Sequence, residues 1–356
     1  MSTALTAAAP SREARFPMPA GREATAPPER RGLARDGVRL LVAGDAGLSH
    51  RRFHELGDVL SPGDLLVLNT SRTLPAAICA EGPGGHGAPL HVSGALAADR
   101  WVVEPRRLDG VGPDRSARAS DVYALPGGVR LRLVRPHPDP DARTPRLWEA
   151  ELAPAVAPVG YLARHGRPIA YRHLAERPTL RDVQTVYADQ PGSAEMPSAR
   201  RPFTERLLVS LMARGVLVAP VVLHAGVSSL DLGEPPPPEW FSVPATTAQL
   251  VDLTRDRGRR VVAVGTTSVR ALESAADGAG WPRAAVGWTS LVLGPDRPAG
   301  VVTGIVSGLH PPEASHLRLL DAVVGHELVD RAYAEALAGP YLWHEFGDST
   351  LLLAPR

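Results

Sequence analysis

The apolar and polar positions of the chain divide it into three textures. An apolar run at Val38–Val42 predicts a strand, and a helix is expected from about Arg52 to Leu60, stopped by Ser61-Pro62-Gly63. Leu65–Leu68 is a continuous apolar run between turn signals, the pattern of a buried strand, and Asn69 stands at its C-terminal end. From about Leu74 to Pro154 short β-like runs at Pro89–Val92, Trp101–Glu104, Val129–Val134 and Leu147–Glu151 are separated by Gly, Pro and Asp clusters. That is the texture of a small all-β unit rather than of βα repeats.

Helical and extended patterns then alternate. Thr204 is placed to cap a helix over Glu205–Arg214, stopped by Gly215, and Val216–His224 reads as a strongly apolar strand. Glu234-Pro-Pro-Pro-Pro238 predicts a stiff surface segment. A helix capped by Thr246 or Thr247 runs to about Arg257, followed by a strand at Arg260–Val264 and a helix at Ser268–Ala276. A strand at Val301–Val306, helices near Glu313–Val324 and His326–Leu337, and a strand at Ser349–Leu353 complete the pattern. The expected fold is α/β: a main domain with a mixed or mainly parallel sheet, residues 16–73 and 155–356, carrying an inserted barrel-like all-β domain at 74–154. Residues 1–15 read as disordered.

Composition narrows the function. At 44% hydrophobic and 22% charged, the 356 residues suit a packed globular protein. No run approaches the ~20 apolar residues of a membrane-spanning helix, and the N-terminus lacks the pattern of a secretory signal, so a cytoplasmic protein is expected. Cys79 is the only cysteine, which excludes an internal disulfide and cysteine-based metal sites. The chain has no lysine, which removes Schiff-base chemistry, and Asn69 is its only asparagine. A net charge of +1 is far from that of a dedicated nucleic-acid module. Contact with RNA would fall to local pairs such as Arg51-Arg52, Arg106-Arg107 or Arg200-Arg201, each read first as solvated surface.

The strongest chemical signal is Val261-Val-Ala-Val-Gly265-Thr266-Thr267-Ser268-Val-Arg270-Ala-Leu-Glu273-Ser. A buried strand runs through a glycine into three hydroxyl residues at a helix start, where free N–H groups and the helix dipole favour a carboxylate or phosphate. The same residues also serve as a plain cap and turn. Arg270 and Glu273 are placed to flank this mouth. It is neither a Walker loop nor a G-x-G-x-x-G fingerprint. Asn69 and Arg72 stand at a second strand end, and His224 with Gly226 at a third. A strand-end His224 or His310 suits acid–base work near neutral pH, and equally a structural hydrogen bond. Two histidines without a third ligand do not make a zinc site, so no metal is expected. Gln184 to Thr204 forms a loop of roughly twenty residues, a length that in a compact domain is usually functional. Asp348, in Phe346-Gly347-Asp348, is a further ligand candidate.

In this order, Pro62-Gly63-Asp64-Leu-Leu-Val-Leu-Asn69, Arg72, Gln184-Thr-Val-Tyr187-Ala, Phe203-Thr204, Leu223-His224-Ala-Gly226, the Gly265–Ser274 block, Leu309-His310 and Phe346-Gly347-Asp348 resemble the S-adenosylmethionine:tRNA ribosyltransferase-isomerases of queuosine synthesis. The resemblance runs from about Phe16 to Leu353. It implies an α/β domain with an early β-barrel insertion. It also implies use of S-adenosylmethionine as ribosyl donor to 7-aminomethyl-7-deazaguanine in tRNA, giving epoxyqueuosine, with no metal. Carried onto this chain, His224 and His310 become the acid–base candidates. Asn69, Arg72, Gly226, Gly265, Thr266, Thr267, Ser268, Arg270, Glu273 and Asp348 become the donor-binding candidates. The chain departs from the family pattern at Thr70, at Glu195–Pro202 and at Pro235–Pro238. Two other readings follow from those departures: the same donor with a different acceptor, or a non-catalytic nucleotide- or RNA-binding paralogue.

Overall fold

A computed structural model describes residues 15–18, 20–109, 112–228, 234–312 and 314–355. The chain begins with β1 (Arg39–Gly44), β2 (Gly47–Arg52), β3 (Leu65–Asn69) and β4 (Ser71–Thr73). It then makes β5 (Ala77–Glu81), β6 (Gly87–Ala97), β7 (Arg100–Pro105), β8 (Val122–Leu125), β9 (Val129–His137) and β10 (Leu147–Ala153). Helix α1 (Pro158–His165), β11 (Gln190–Ser193), α2 (Glu205–Ala213), β12 (Leu217–Leu223), β13 (Glu239–Val243) and α3 (Ala245–Asp256) follow. The chain ends with β14 (Val261–Val264), α4 (Thr266–Ser274), β15 (Ala285–Thr289), β16 (Gly304–Gly308), α5 (His316–Val324), α6 (His326–Ala338) and β17 (Ser349–Leu353).

Nine strands form one mixed sheet in the order β15-β13-β12-β3-β14-β16-β17-β1-β2. Its centre, β12-β3-β14-β16, is parallel, and β13, β15, β17 and β2 each add an antiparallel pairing. Alternation along the central strands makes two cores. Leu65, Val67, Val261 and Ala263 face one side, against α3 to α6; Leu66, Leu68, Val262 and Val264 face the other, against α2 and the 3-10 turn at Phe53–Asp58. Strands buried on both faces read as unbroken apolar runs, which is why β3 and β14 were visible in the sequence.

Strands β5 to β10 close into an antiparallel barrel around Trp101, Val103, Leu131, Leu133 and Ala150. The α/β sheet with a barrel formed between its strands bears out the expected fold class. The barrel is latched to the sheet through Arg146, only 3% exposed. Its guanidinium donates to Glu104 Oε2 at 2.8 Å, to Glu234 at 2.9 Å and to the Val227 carbonyl at 3.1 Å. Ser93 Oγ in β6 accepts from Val227 N at 2.9 Å.

Several local expectations are corrected. The helix expected over 52–60 is a six-residue 3-10 helix, Phe53–Asp58, whose start is capped by Glu55 accepting from Arg52 N. Neither Thr246 nor Thr247 caps α3; Pro244 stands at its N-cap, and Thr247 is buried with its hydroxyl donating to Pro220 O at 2.6 Å. Strand β16 starts at Gly304, since Glu273 takes the N–H groups of Gly300, Val301 and Val302. Pro237 is buried, so the proline run does not lie wholly on the surface. Residues 1–14 lie outside the described residues, but Arg15 is ordered against Asp321 and Asp330.

Candidate active site

Because β12, β3, β14 and β16 are parallel, they deliver His224, Asn69, Gly265 and His310 to one edge of the sheet, the usual place for a site in such folds. The connection after β14 needs its glycine: Gly265 has φ +82°, which a residue with a Cβ rarely adopts. The mouth of α4 is not open, however. The 3-10 turn Ser198–Arg200 lies over it, with Ala199 and Arg200 against Gly265 and Ser198 against Gly308. Arg200 is buried and donates to the Asn69 carbonyl. Arg201 is equally buried, paired with Glu29 at 2.8 Å and stacked over Phe346. This arginine pair is therefore interior, against the sequence expectation of solvated side chains.

Segment 198–200 divides the strand-end edge in two. On one side, between the sheet and the barrel, lies a cavity of about 400 Å³. Of the residues expected at a site, His224 and Gly226 line it. His224 Nδ1 is 2.8 Å from Ser71 Oγ, which is 2.6 Å from Ser193 Oγ, and that oxygen accepts from Ala225 N at 3.0 Å. The imidazole stacks on Trp240, centroids 5.0 Å apart and planes at 20°. Burial pushes His224 down to about 4, so its ring is neutral near pH 7. Trp240 in turn sits directly across from Trp288 on β15, and Trp288 is 53% exposed at the cavity mouth.

The wall opposite the barrel is held by a buried ion pair. Arg270 donates to Glu239 and to the carbonyls of Leu291 and Thr289, while Glu239 accepts from Gly226 N at 2.8 Å. Burial raises Glu239 above the ordinary carboxylate value, and Arg270 opposes this. Glu239 lines the cavity; Arg270 supports it from behind. The sequence drew attention to Glu239 only as the residue that follows Pro235–Pro238 and did not place it at the site, and it gave no role to Trp240 or Trp288. A further signal was the half-buried alternation of Glu239–Val243, concealed by the prolines before it.

Other expected residues stand behind or beside the cavity. Asn69 is fully buried. Its amide donates to Leu223 O at 2.9 Å and Thr267 Oγ1 at 3.0 Å, and accepts from Ser71 N and Leu223 N. All its side-chain hydrogen-bonding capacity is used within the protein, so it ties β3, β12 and α4 together. Thr266 and Thr267 are half-buried at the start of α4, and Ser268 Oγ donates back to Val264 O. Arg270 and Glu273 do not flank a shared mouth: the first turns to Glu239, the second to the 300–302 backbone. Arg72 is exposed and donates to Ala188 O. Asp348 accepts from Arg39 N and Leu342 N at 2.7 and 2.8 Å, bracing the last turn.

On the other side of segment 198–200, His310 Nε2 is 2.8 Å from Ser307 Oγ, and its ring stacks on His316 at 4.5 Å. Burial, with help from His316 and His344, holds His310 well below its ordinary value. His310 and His224 thus do not share a pocket wall.

The chain matches the family described as Queuosine biosynthesis protein over residues 12–352. It is 34% identical over 334 residues to the S-adenosylmethionine:tRNA ribosyltransferase-isomerase of Gloeobacter violaceus, covering 90% of each chain. It is 32% identical over 357 residues to the same enzyme of Moorella thermoacetica, covering 95% of this chain and 98% of that one. Among solved structures it is similar to the S-adenosylmethionine tRNA ribosyltransferase of Thermotoga maritima, with a TM-score of 0.53, 26% identity, and 96% and 99% of the two chains covered. With the family match running over nearly the whole chain and relatives above 30% identity covered over nearly their whole length, the chain belongs to the queuosine biosynthesis protein family.

Proposed function

We propose that this protein moves the ribosyl group of S-adenosylmethionine onto 7-aminomethyl-7-deazaguanine in a tRNA, with isomerisation, and releases adenine and methionine. The observation that carries the reading is the cavity between barrel and sheet. At about 400 Å³ it falls within the usual range for small-molecule sites. Its aromatic series, His224, Trp240 and Trp288, ends exposed at the mouth. Proteins that read single-stranded or extruded bases stack them on such side chains. A base presented from a tRNA loop has a platform here, and the apolar wall of Val92 and Val102 from the barrel and Leu162 from α1 excludes water behind it.

The sulfonium of the donor acidifies the adjacent carbon, and the site has to hold developing charge and accept adenine as leaving group. His224, kept neutral and fixed by Ser71, offers an imidazole for a hydrogen bond to the base or leaving group rather than a strong proton acceptor. Glu239, held by Arg270 and the Gly226 N–H, is the one carboxylate lining the cavity among the described residues. Such pre-positioned groups cost little reorganisation during reaction.

The test uses the purified protein with S-adenosylmethionine and two tRNAs, one carrying 7-aminomethyl-7-deazaguanine and one with unmodified guanine. The reading expects adenine and methionine in equal amounts with the first tRNA only. Donor binding without release from either would overturn it.

A further inference from the structure

His173, from the segment after α1, meets two adjacent residues of the last turn, His344 and Glu345. The ligand atoms of His173, His344 and Glu345 all lie within 4.8 Å of one another. His173 Nε2 is 2.9 Å from Glu345 Oε2, and the His173 side chain is 9% exposed. Both atoms are closed to water, and neither has a hydrogen-bond partner, because the short approach is not aligned for one. Buried polar atoms are rarely left so, and an ion between them is one of the few remedies. The His344 ring stacks on His173 at 4.8 Å and 21°, and its backbone is held at φ +69°, a conformation disfavoured for a residue with a Cβ. Glu23 approaches His344 Nε2 at 3.2 Å from outside, which leaves Nδ1 for a metal and resembles the carboxylate behind a ligating histidine.

We propose that His173, His344 and Glu345 form a site for a borderline divalent cation, best suited by Zn²⁺. Two imidazoles and one carboxylate are ligands that zinc accepts, and three protein ligands leave a fourth position for water. Bonds of about 2.0–2.2 Å hold two ligands no more than about 4.4 Å apart, so the site closes with small side-chain shifts. The metal joins the segment after α1, which carries His173, to the turn before β17, which carries His344 and Glu345. Through Glu23 it also reaches the N-terminal segment, whose Ala24 N already donates to Trp343 O. It clasps these segments together. Spacing pointed away from a metal because His224 and His310 lack a third ligand; here His173 lies 171 residues before the adjacent His344 and Glu345 (344 − 173), and the three belong to no motif.

The experiment strips full-length protein with a chelator, then titrates it with Zn²⁺ by calorimetry and with Co²⁺ by visible absorption. Wild type is expected to bind one equivalent, to show tetrahedral Co²⁺ bands, and to melt at a higher temperature with Zn²⁺ than without. His173→Ala and Glu345→Gln are expected to weaken binding at least tenfold. Absence of stoichiometric binding and of Co²⁺ bands in wild type overturns the proposal, and so does unchanged affinity in both variants. The wild-type spectrum decides even where a variant fails to fold.

Discussion

The backbone of Gly192 lies so close to the His224 ring that a Cβ at position 192 would stand 2.4 Å from its Cγ and Nδ1. With Trp240 on the imidazole as well, the ring is held by aromatic stacking, by backbone packing and by its Ser71 contact. Gly192→Ala has to displace it. Misplacement of about 1 Å can cost about 10²-fold in rate, so kcat for adenine release is expected to fall by about that factor. Most of the melting temperature should survive. A Gly192→Ala enzyme with wild-type kcat would show that the ring's position does not matter.

The buried pair of Arg270 and Glu239 gives a stability prediction. Removing one partner of such a pair typically costs about 3–5 kcal/mol, because the remaining charge is stranded. Arg270→Met is expected to lose stability on that scale in denaturant unfolding. The double variant Arg270→Met/Glu239→Gln, which strands no charge, should recover much of it. Equal loss in the single and double variants would argue against the pairing as the cause.

Burial also gives the fold an acid limit. His224 and His316 are both pushed down to about 4 from an ordinary 6.5. Between those values the unfolded chain binds protons that the folded chain resists. Their contribution is therefore full above pH 6.5 and is lost as pH falls towards 4. A tenfold difference in proton affinity between the folded and unfolded chain corresponds to about 1.4 kcal/mol. Glu195, raised to about 7 chiefly by burial, acts in the opposite direction over part of this range. The informative comparison is hence between variants. The stability lost from pH 7 to pH 5 should be smaller in His316→Asn than in wild type, and identical losses would contradict the assignment.

Much of this architecture was legible because the central strands are buried on both faces. Leu65–Leu68 and Val261–Val264 had to be continuous apolar runs, and Ser349–Leu353 was visible for the same reason. Edge and barrel strands such as Ala285–Thr289 and Ala77–Glu81 are short and half-exposed, so they left no such run. At the site, strand-end residues such as His224 were readable from their position after an apolar segment. Arg200 was not: an Arg-Arg pair looks like surface until the fold packs its first member over Gly265. Nor could spacing show that Asn69 spends its amide on Leu223 and Thr267, since those partners lie 154 and 198 residues away.

Trp240 joins the imidazole to the cavity mouth, so it tests the central claim most directly. Stacking of one base on an aromatic side chain is worth about 1–3 kcal/mol. The measurement is kcat/KM for adenine release from S-adenosylmethionine with the deazaguanine-bearing tRNA, in wild type and in Trp240→Ala, with melting temperatures compared alongside. A cavity that receives the base predicts a fall of about 10- to 100-fold in a protein that still folds. Unchanged kcat/KM in a folded Trp240→Ala protein would place the reaction elsewhere on the molecule.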